Sequence, residues 1–155
     1  EKIKSFDETP VVEVCAGNGK LAHQLRKRGI PIIATDDYSW GLSTDKNLVG
    51  KLSYKEALKK YEPKIVVASW LPPRWLEIDI LNFQSVDYFI DIGRSGYIEI
   101  RGDVYIKSGD DAVIKFKMKH LKEIDQYTIC MDDSPWKLDT PLELDTESVK
   151  LYYRE

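Results

Sequence analysis

Apolar segments alternate with helix-like segments over the first ninety residues of the chain. Five short runs rich in valine and isoleucine lie at residues 11–16, 31–37, 48–52, 64–70 and 86–93. Two of the stretches between them are amphipathic, because their apolar residues recur every three or four positions. This order of elements is typical of an α/β protein with a mostly parallel sheet.

Both helix-like stretches carry end signals. The first, at residues 19–29, finishes with basic residues followed by Gly29, which suits the left-handed position just after a helix. The second begins with Ser53 and Glu56 at the spacing of a capping box and stops at Pro63. The sequence therefore predicts one helix after the first strand and another before the fourth.

Beyond residue 93 the pattern is ambiguous. Residues 97–109 alternate like a hairpin that turns at Gly102 and Asp103. Residues 110–124 fit both the strand and the helix period, and we expect a helix there because parallel neighbours need a crossover. Residues 126–131 and 148–154 are predicted to be the last two strands. The predicted sheet therefore has seven strands, and the hairpin is not counted among them. We expect one domain over residues 1–155.

Composition excludes several classes of protein. The net charge of −3 gives no basic footprint for nucleic acid, although a local patch is not excluded. The dense basic run at residues 115–122 is interpreted as the solvent-exposed face of an amphipathic element. Two cysteines without metal spacing favour a reducing compartment. No window approaches the ~18 apolar residues of a membrane span, and the N-terminal segment has no signal-peptide character. We therefore expect a cytoplasmic protein with no membrane partner.

The loop after the first strand, in "VVEVCAGNGKLA", carries the candidate chemistry. Glu13 stands among valines, and burying its carboxylate is costly unless something donates hydrogen bonds to it. Gly17 and Gly19 allow backbone N–H groups to approach a ligand at the positive end of a helix. The donors to Glu13 are then loop amides, a ligand ammonium or both. The second strand ends in Asp36 and Asp37, and an acid there suits the two hydroxyls of a ribose.

These segments resemble motifs I and II of the class I S-adenosylmethionine-dependent methyltransferases. Glu13 falls on the acid of motif I, Gly17 and Gly19 on its last two glycines, and Cys15 where its first glycine is usual. Asp36 falls on the ribose-binding acid of motif II. The resemblance implies a Rossmann-like three-layer fold whose last strand is antiparallel, and S-adenosyl-L-methionine as cofactor. The cofactor-binding residues it implies in these two motifs are Glu13, Cys15, Ala16, Gly17, Asn18, Gly19, Asp36 and Asp37.

The segment "YKEALKKYEPKIVVASWLPP" also resembles the fourth-strand region of methyltransferase-like proteins. Ser69 and Trp70 are therefore predicted to line the methyl-donor end of the same pocket. In that family an Asn, Asp or Ser often stands next to a Pro-Pro pair, whereas here Trp70 and Leu71 separate Ser69 from the prolines. Methylation of a base amino group is consequently not implied.

Two other functions remain open. The spacing from Gly17 to Ala22 also fits a dinucleotide fingerprint, but Glu13 and the lack of a second mononucleotide-binding half favour adenosylmethionine over NAD(P). A protein that binds the cofactor or another nucleotide without turnover is the second alternative. No catalytic residue or metal ligand is assigned, and the methyl acceptor and oligomeric state are left open. The expected function is a methyltransferase.

Overall fold

The computed structural model of the chain describes residues 9–42, 46–71, 75–94, 103–108, 112–120 and 147–154. Its elements follow in the order β1 (Val11–Val14), α1 (Lys20–Lys27), β2 (Ile32–Asp36), β3 (Val49–Lys51), α2 (Tyr54–Tyr61), β4 (Ile65–Ser69), α3 (Trp75–Leu81), β5 (Tyr88–Arg94), β6 (Asp103–Ser108), β7 (Ala112–His120) and β8 (Glu147–Arg154). The predicted strand at residues 126–131 lies outside the described residues.

The strands form one sheet in the order β3-β2-β1-β4-β5-β8-β7-β6. The first five run parallel, and β8 pairs antiparallel with β5. The mostly parallel part of the described sheet thus has six strands, not the seven predicted, and its last strand is antiparallel as expected. The hairpin of β6 and β7 extends the sheet to eight strands.

One prediction for the C-terminal part was wrong, because residues 112–120 form a strand instead of a helix. Asp103, which was predicted at the hairpin turn, begins β6, and residues 97–102 of the predicted hairpin lie outside the described residues. β7 pairs with β6 on one side and β8 on the other, so the crossover that favoured a helix is not needed. The connection before β5 was not predicted to be helical, yet it contains α3.

The helix ends agree with the predictions. After α1, the N–H of Ile30 donates to Leu25 O and that of Gly29 to Arg26 O, and Gly29 has φ +79°, which together form a Schellman motif. The capping box of α2 is present, with a 2.9 Å bond from Ser53 N to Glu56 Oε2.

Helices pack on both faces of the sheet, which gives three layers. α1 packs on one face, which we call the α1 face, and α2 and α3 pack on the other. Within the described residues, no helix is long and apolar enough to cross a bilayer. The buried apolar residues form two clusters, with Ala22, Ile32, Ala34, Val49 and Val67 on the α1 face, and Val12, Val14, Ala57, Leu58, Val66, Ala68, Ile80, Leu81, Val86, Phe89 and Tyr152 on the other.

Candidate functional site

The carboxyl ends of β2, β1 and β4 lie side by side at one edge of the sheet. The chain order reverses between β1 and β4, and ligands of open α/β sheets bind at such a switch point. Paired residues of a sheet share a face, so the registers of β1 with β2 and β4 place Glu13, Asp36 and Ser69 on the α1 face. The structure therefore brings these three predicted site residues to the same edge and face.

Asp36 holds the glycine loop in place. Its Oδ2 accepts a hydrogen bond from Gly17 N at 2.9 Å, and its Oδ1 accepts one from Tyr38 N at 2.7 Å. Ala16 N donates to Thr35 O at 3.0 Å, which ties the same loop to β2. Each carboxylate oxygen can accept a second hydrogen bond, so Asp36 remains able to receive hydroxyl donors from a ligand.

Glu13 lies beneath this loop and is only 1% exposed. Burial raises the pKa of its carboxyl to about 7, opposed by a hydrogen bond from the backbone of Ala22 and by the charge of Arg26, while Asp36 raises it further. Ala22 lies in the first turn of α1, whose N–H groups have no partner within the helix. Among the described residues, Glu13 Oε2 has no hydrogen-bond partner. The loop and helix therefore satisfy only part of the carboxyl.

Non-glycine residues with positive φ cluster at this edge. Cys15 has φ +53° directly after β1, Trp70 has φ +57° directly after β4, and Tyr38 has φ +63° two residues after β2. Each left-handed residue of this kind costs on the order of 1–3 kcal/mol, and such residues concentrate at functional sites. Cys15 stands where the resembled motif has its first glycine, and the positive φ explains why glycine is suited to that position.

The two glycines of the loop differ in the space around them. Gly19 has φ +75°, and a Cβ built there would lie 2.5 Å from Val49 Cγ2, so no side chain fits. Gly17 has φ +54°, and its Cβ would lie 3.3 Å from Leu42 Cδ1. Between them Asn18 is exposed and accepts a hydrogen bond from Lys20 N at 3.1 Å. The close packing of Gly19 places the loop against the start of β3.

The thiol of Cys15 is unsuited to nucleophilic chemistry. Burial, followed by the charges of Asp36 and Asp37, raises its pKa to about 12. A thiol at this pKa stays protonated at neutral pH, and the thiolate is the nucleophilic form. Cys15 contributes to this site through its left-handed backbone conformation.

Asp37 and Trp70 complete the predicted residues. Asp37 is exposed, accepts a 2.8 Å hydrogen bond from Ser39 N, and has a pKa lowered mainly by Ser39. Trp70 is half-buried, and its N–H donates to Ile92 O at 2.7 Å, so the backbone after β4 continues along β5. Pro72 and Pro73 lie outside the described residues.

Sequence reasoning missed three residues near this edge. Tyr38 donates a hydrogen bond from its hydroxyl to Val49 O, and Leu42 is 52% exposed although it contacts the Gly17 position. Asp91 on β5 is 7% exposed, faces the α2 and α3 layer, and its pKa is raised by burial and by Glu77 to about 7. The signal for Asp91 was the same as for Glu13, an acid within an apolar run.

No metal site is visible in the described part of the chain, where no three histidine, cysteine, aspartate or glutamate side chains could hold an ion together.

No family model and no curated protein matches the chain. Among solved structures, it is similar to the CcbJ methyltransferase from Streptomyces caelestis, with 17% identity and a TM-score of 0.37. The alignment covers 79% of this chain and 60% of that chain, so this chain spans less than two thirds of its length.

Proposed function

We propose that the protein binds S-adenosyl-L-methionine at the carboxyl edge of β1, β2 and β4 and transfers its methyl group to an acceptor. The observation that carries this proposal is the buried Glu13 carboxyl under the glycine loop, with one oxygen that no described residue satisfies. A buried acceptor without a donor is costly, and a ligand ammonium would supply the missing bond.

The loop and the two strands beside it fit such a ligand in three ways. Glu13 offers an acceptor for the ammonium of the methionine part, and Asp36 keeps lone pairs for the ribose hydroxyls. Gly19 lets the backbone pack where no side chain fits. A nicotinamide dinucleotide has no ammonium to pair with Glu13, which favours adenosylmethionine.

When bound, the cofactor supplies an activated methyl group. The role of the protein is then to orient this group toward the acceptor and to exclude water. Ser69 ends β4 on the same face as Glu13, and Trp70 follows it in a left-handed backbone conformation. We assign these two residues to the acceptor end of the crevice, and no proton acceptor is assigned among them.

Isothermal titration calorimetry tests the binding. Adenosylmethionine and adenosylhomocysteine should both bind, and NAD should not, because only the first two carry the ammonium. Binding of NAD alone would contradict the proposal. Affinity for adenosylhomocysteine should rise as the pH passes 7, since Glu13 must be ionised to pair with an ammonium, and Glu13→Gln should remove that rise.

Turnover separates an enzyme from a binding module with the same site. The purified protein is incubated with adenosylmethionine and a cell extract as the source of acceptors, and adenosylhomocysteine is quantified. Formation above the level of an Asp36→Ala control supports the enzyme. Tight binding without any product would reduce the function to cofactor binding.

A further inference from the structure

The basic run at residues 115–122 lies mostly in β7, and strand geometry decides where its lysines go. In a helix, residues two positions apart point about 200° apart, so lysines at 115, 117 and 119 would be spread around the axis. In a strand, alternate residues share one face. β7 therefore carries all three lysine positions on the same face of the sheet.

Aromatic residues flank this row. Lys117 pairs in register with Tyr153 of β8, which in turn pairs with Tyr88 of β5. Lys119 is exposed and pairs with Leu151, while Lys117, Tyr153 and Tyr88 are half-buried. Since paired residues share a face, lysine and tyrosine stand side by side across three strands.

The opposite neighbour strand adds to the same face. Position 105 of β6, a tyrosine, pairs with Lys115, and Lys107 pairs with Val113. Asp103, which pairs with Lys117, is the one acid of β6 and β7 at these positions. On β8 the same face carries Glu147, which pairs in register with Arg94 of β5. Four lysine positions against Asp103 and this Glu147–Arg94 pair make a local positive region in a chain whose net charge is −3.

We propose that this surface, the lysine–tyrosine face of β6, β7 and β8, binds a single-stranded nucleic acid. A row of cations suits the repeated phosphates of a strand, and neighbouring aromatic rings suit stacking with unpaired bases. A lipid surface would instead require apolar side chains that insert into it, whereas Tyr88 and Tyr153 are half-buried within the sheet. The proposal does not depend on the cofactor site.

Fluorescence anisotropy with labelled oligothymidylate of about 15 nucleotides tests it. The intact protein is compared with a Lys115→Gln, Lys117→Gln, Lys119→Gln triple variant over a range of salt concentrations. The matched control is Lys27→Gln, Lys59→Gln, Lys64→Gln, which removes three exposed lysines from the α1 and α2 regions. Thermal melting confirms that both variants fold.

The affinity of the triple variant at low salt should be at least about tenfold lower than that of the intact protein. Each lost phosphate contact lowers the slope of log affinity against log salt by about 0.7, so the slope for the triple variant should be shallower by about 2. The control should match the intact protein. Absent binding at low salt, or equal losses in both variants, would overturn the proposal. So would binding to phosphatidylserine vesicles without binding to the oligonucleotide. Tyr153→Leu should weaken binding without changing the salt slope, and an unchanged affinity would disprove the stacking role.

Discussion

Replacing Glu13 by glutamine should stabilise the protein strongly at pH 8 and by less than about 1 kcal/mol at pH 5. Glutamine has the same shape as a protonated glutamate and keeps an oxygen that can accept the bond from the Ala22 backbone. It carries no charge at any pH. The variant therefore isolates the cost of ionising a carboxyl that is only 1% exposed.

The magnitude follows from the pKa of Glu13, which burial raises from 4.5 to about 7 in the folded protein. Between these two values the folded state binds more protons than the unfolded state, so stability falls as the pH rises and levels off above 7. The interval of about 2.5 pH units, at ~1.4 kcal/mol per unit, corresponds to about 3 kcal/mol. The glutamine variant should be more stable than the original chain by roughly that amount at pH 8.

Urea unfolding of both proteins at pH 5 and pH 8 measures the difference. The contributions of all other groups cancel when the two proteins are compared at each pH. Asp91→Asn, on the opposite face of the sheet, provides a second test, because burial raises the pKa of that acid to about 7 as well. If Glu13→Gln shows the same pH dependence as the original chain, Glu13 is ionised without penalty and the reasoning about its missing partner is wrong.

Three further predictions concern the residues around α1 and the glycine loop. Gly29→Ala should lower the free energy of unfolding by about 1 kcal/mol, because only its positive φ opposes a side chain. Gly19→Ala should cost about 1–3 kcal/mol more, because its Cβ also has no room. Equilibrium unfolding measures both values. Asp36→Ala should weaken cofactor binding by about 1–3 kcal/mol, and Asp37→Ala should weaken it by less, because Asp36 accepts the hydrogen bond from the Gly17 amide. Calorimetry measures both affinities, and the reverse order would assign ribose binding to Asp37. The Cys15 thiol should react with iodoacetamide at pH 8 far more slowly in the folded than in the unfolded protein, and equal rates by mass spectrometry would contradict its raised pKa.

Local signals predicted the helix ends and the glycine loop correctly. The capping box at Ser53 and the left-handed Gly29 were readable because they depend on residues a few positions apart. The five parallel strands were also readable, since continuous apolar runs are typical of strands buried on both faces. Each of these strands is one or two residues shorter than predicted.

The sequence did not decide between helix and strand for β7. Its apolar residues fit both periods, so the choice depended on pairing with β6 and β8, and β8 is separated from it by more than twenty residues of chain. Pairing at that separation cannot be read from local periodicity. The addition of β6 and β7 to the sheet, which brings the described strands to eight, depends on the same pairing.

What the sequence determined by itself is the kind of site: a strand acid, two glycines and two strand-end acids, all within one βαβ unit of about thirty residues. Only the tertiary structure decided how they are used. It placed Asp36 on the Gly17 amide, buried Glu13 until its pKa approached neutrality, and required a positive φ at Cys15. Each of these depends on strands and helices that meet in space, because burial and hydrogen-bond partners are set by packing and not by the order of residues along the chain.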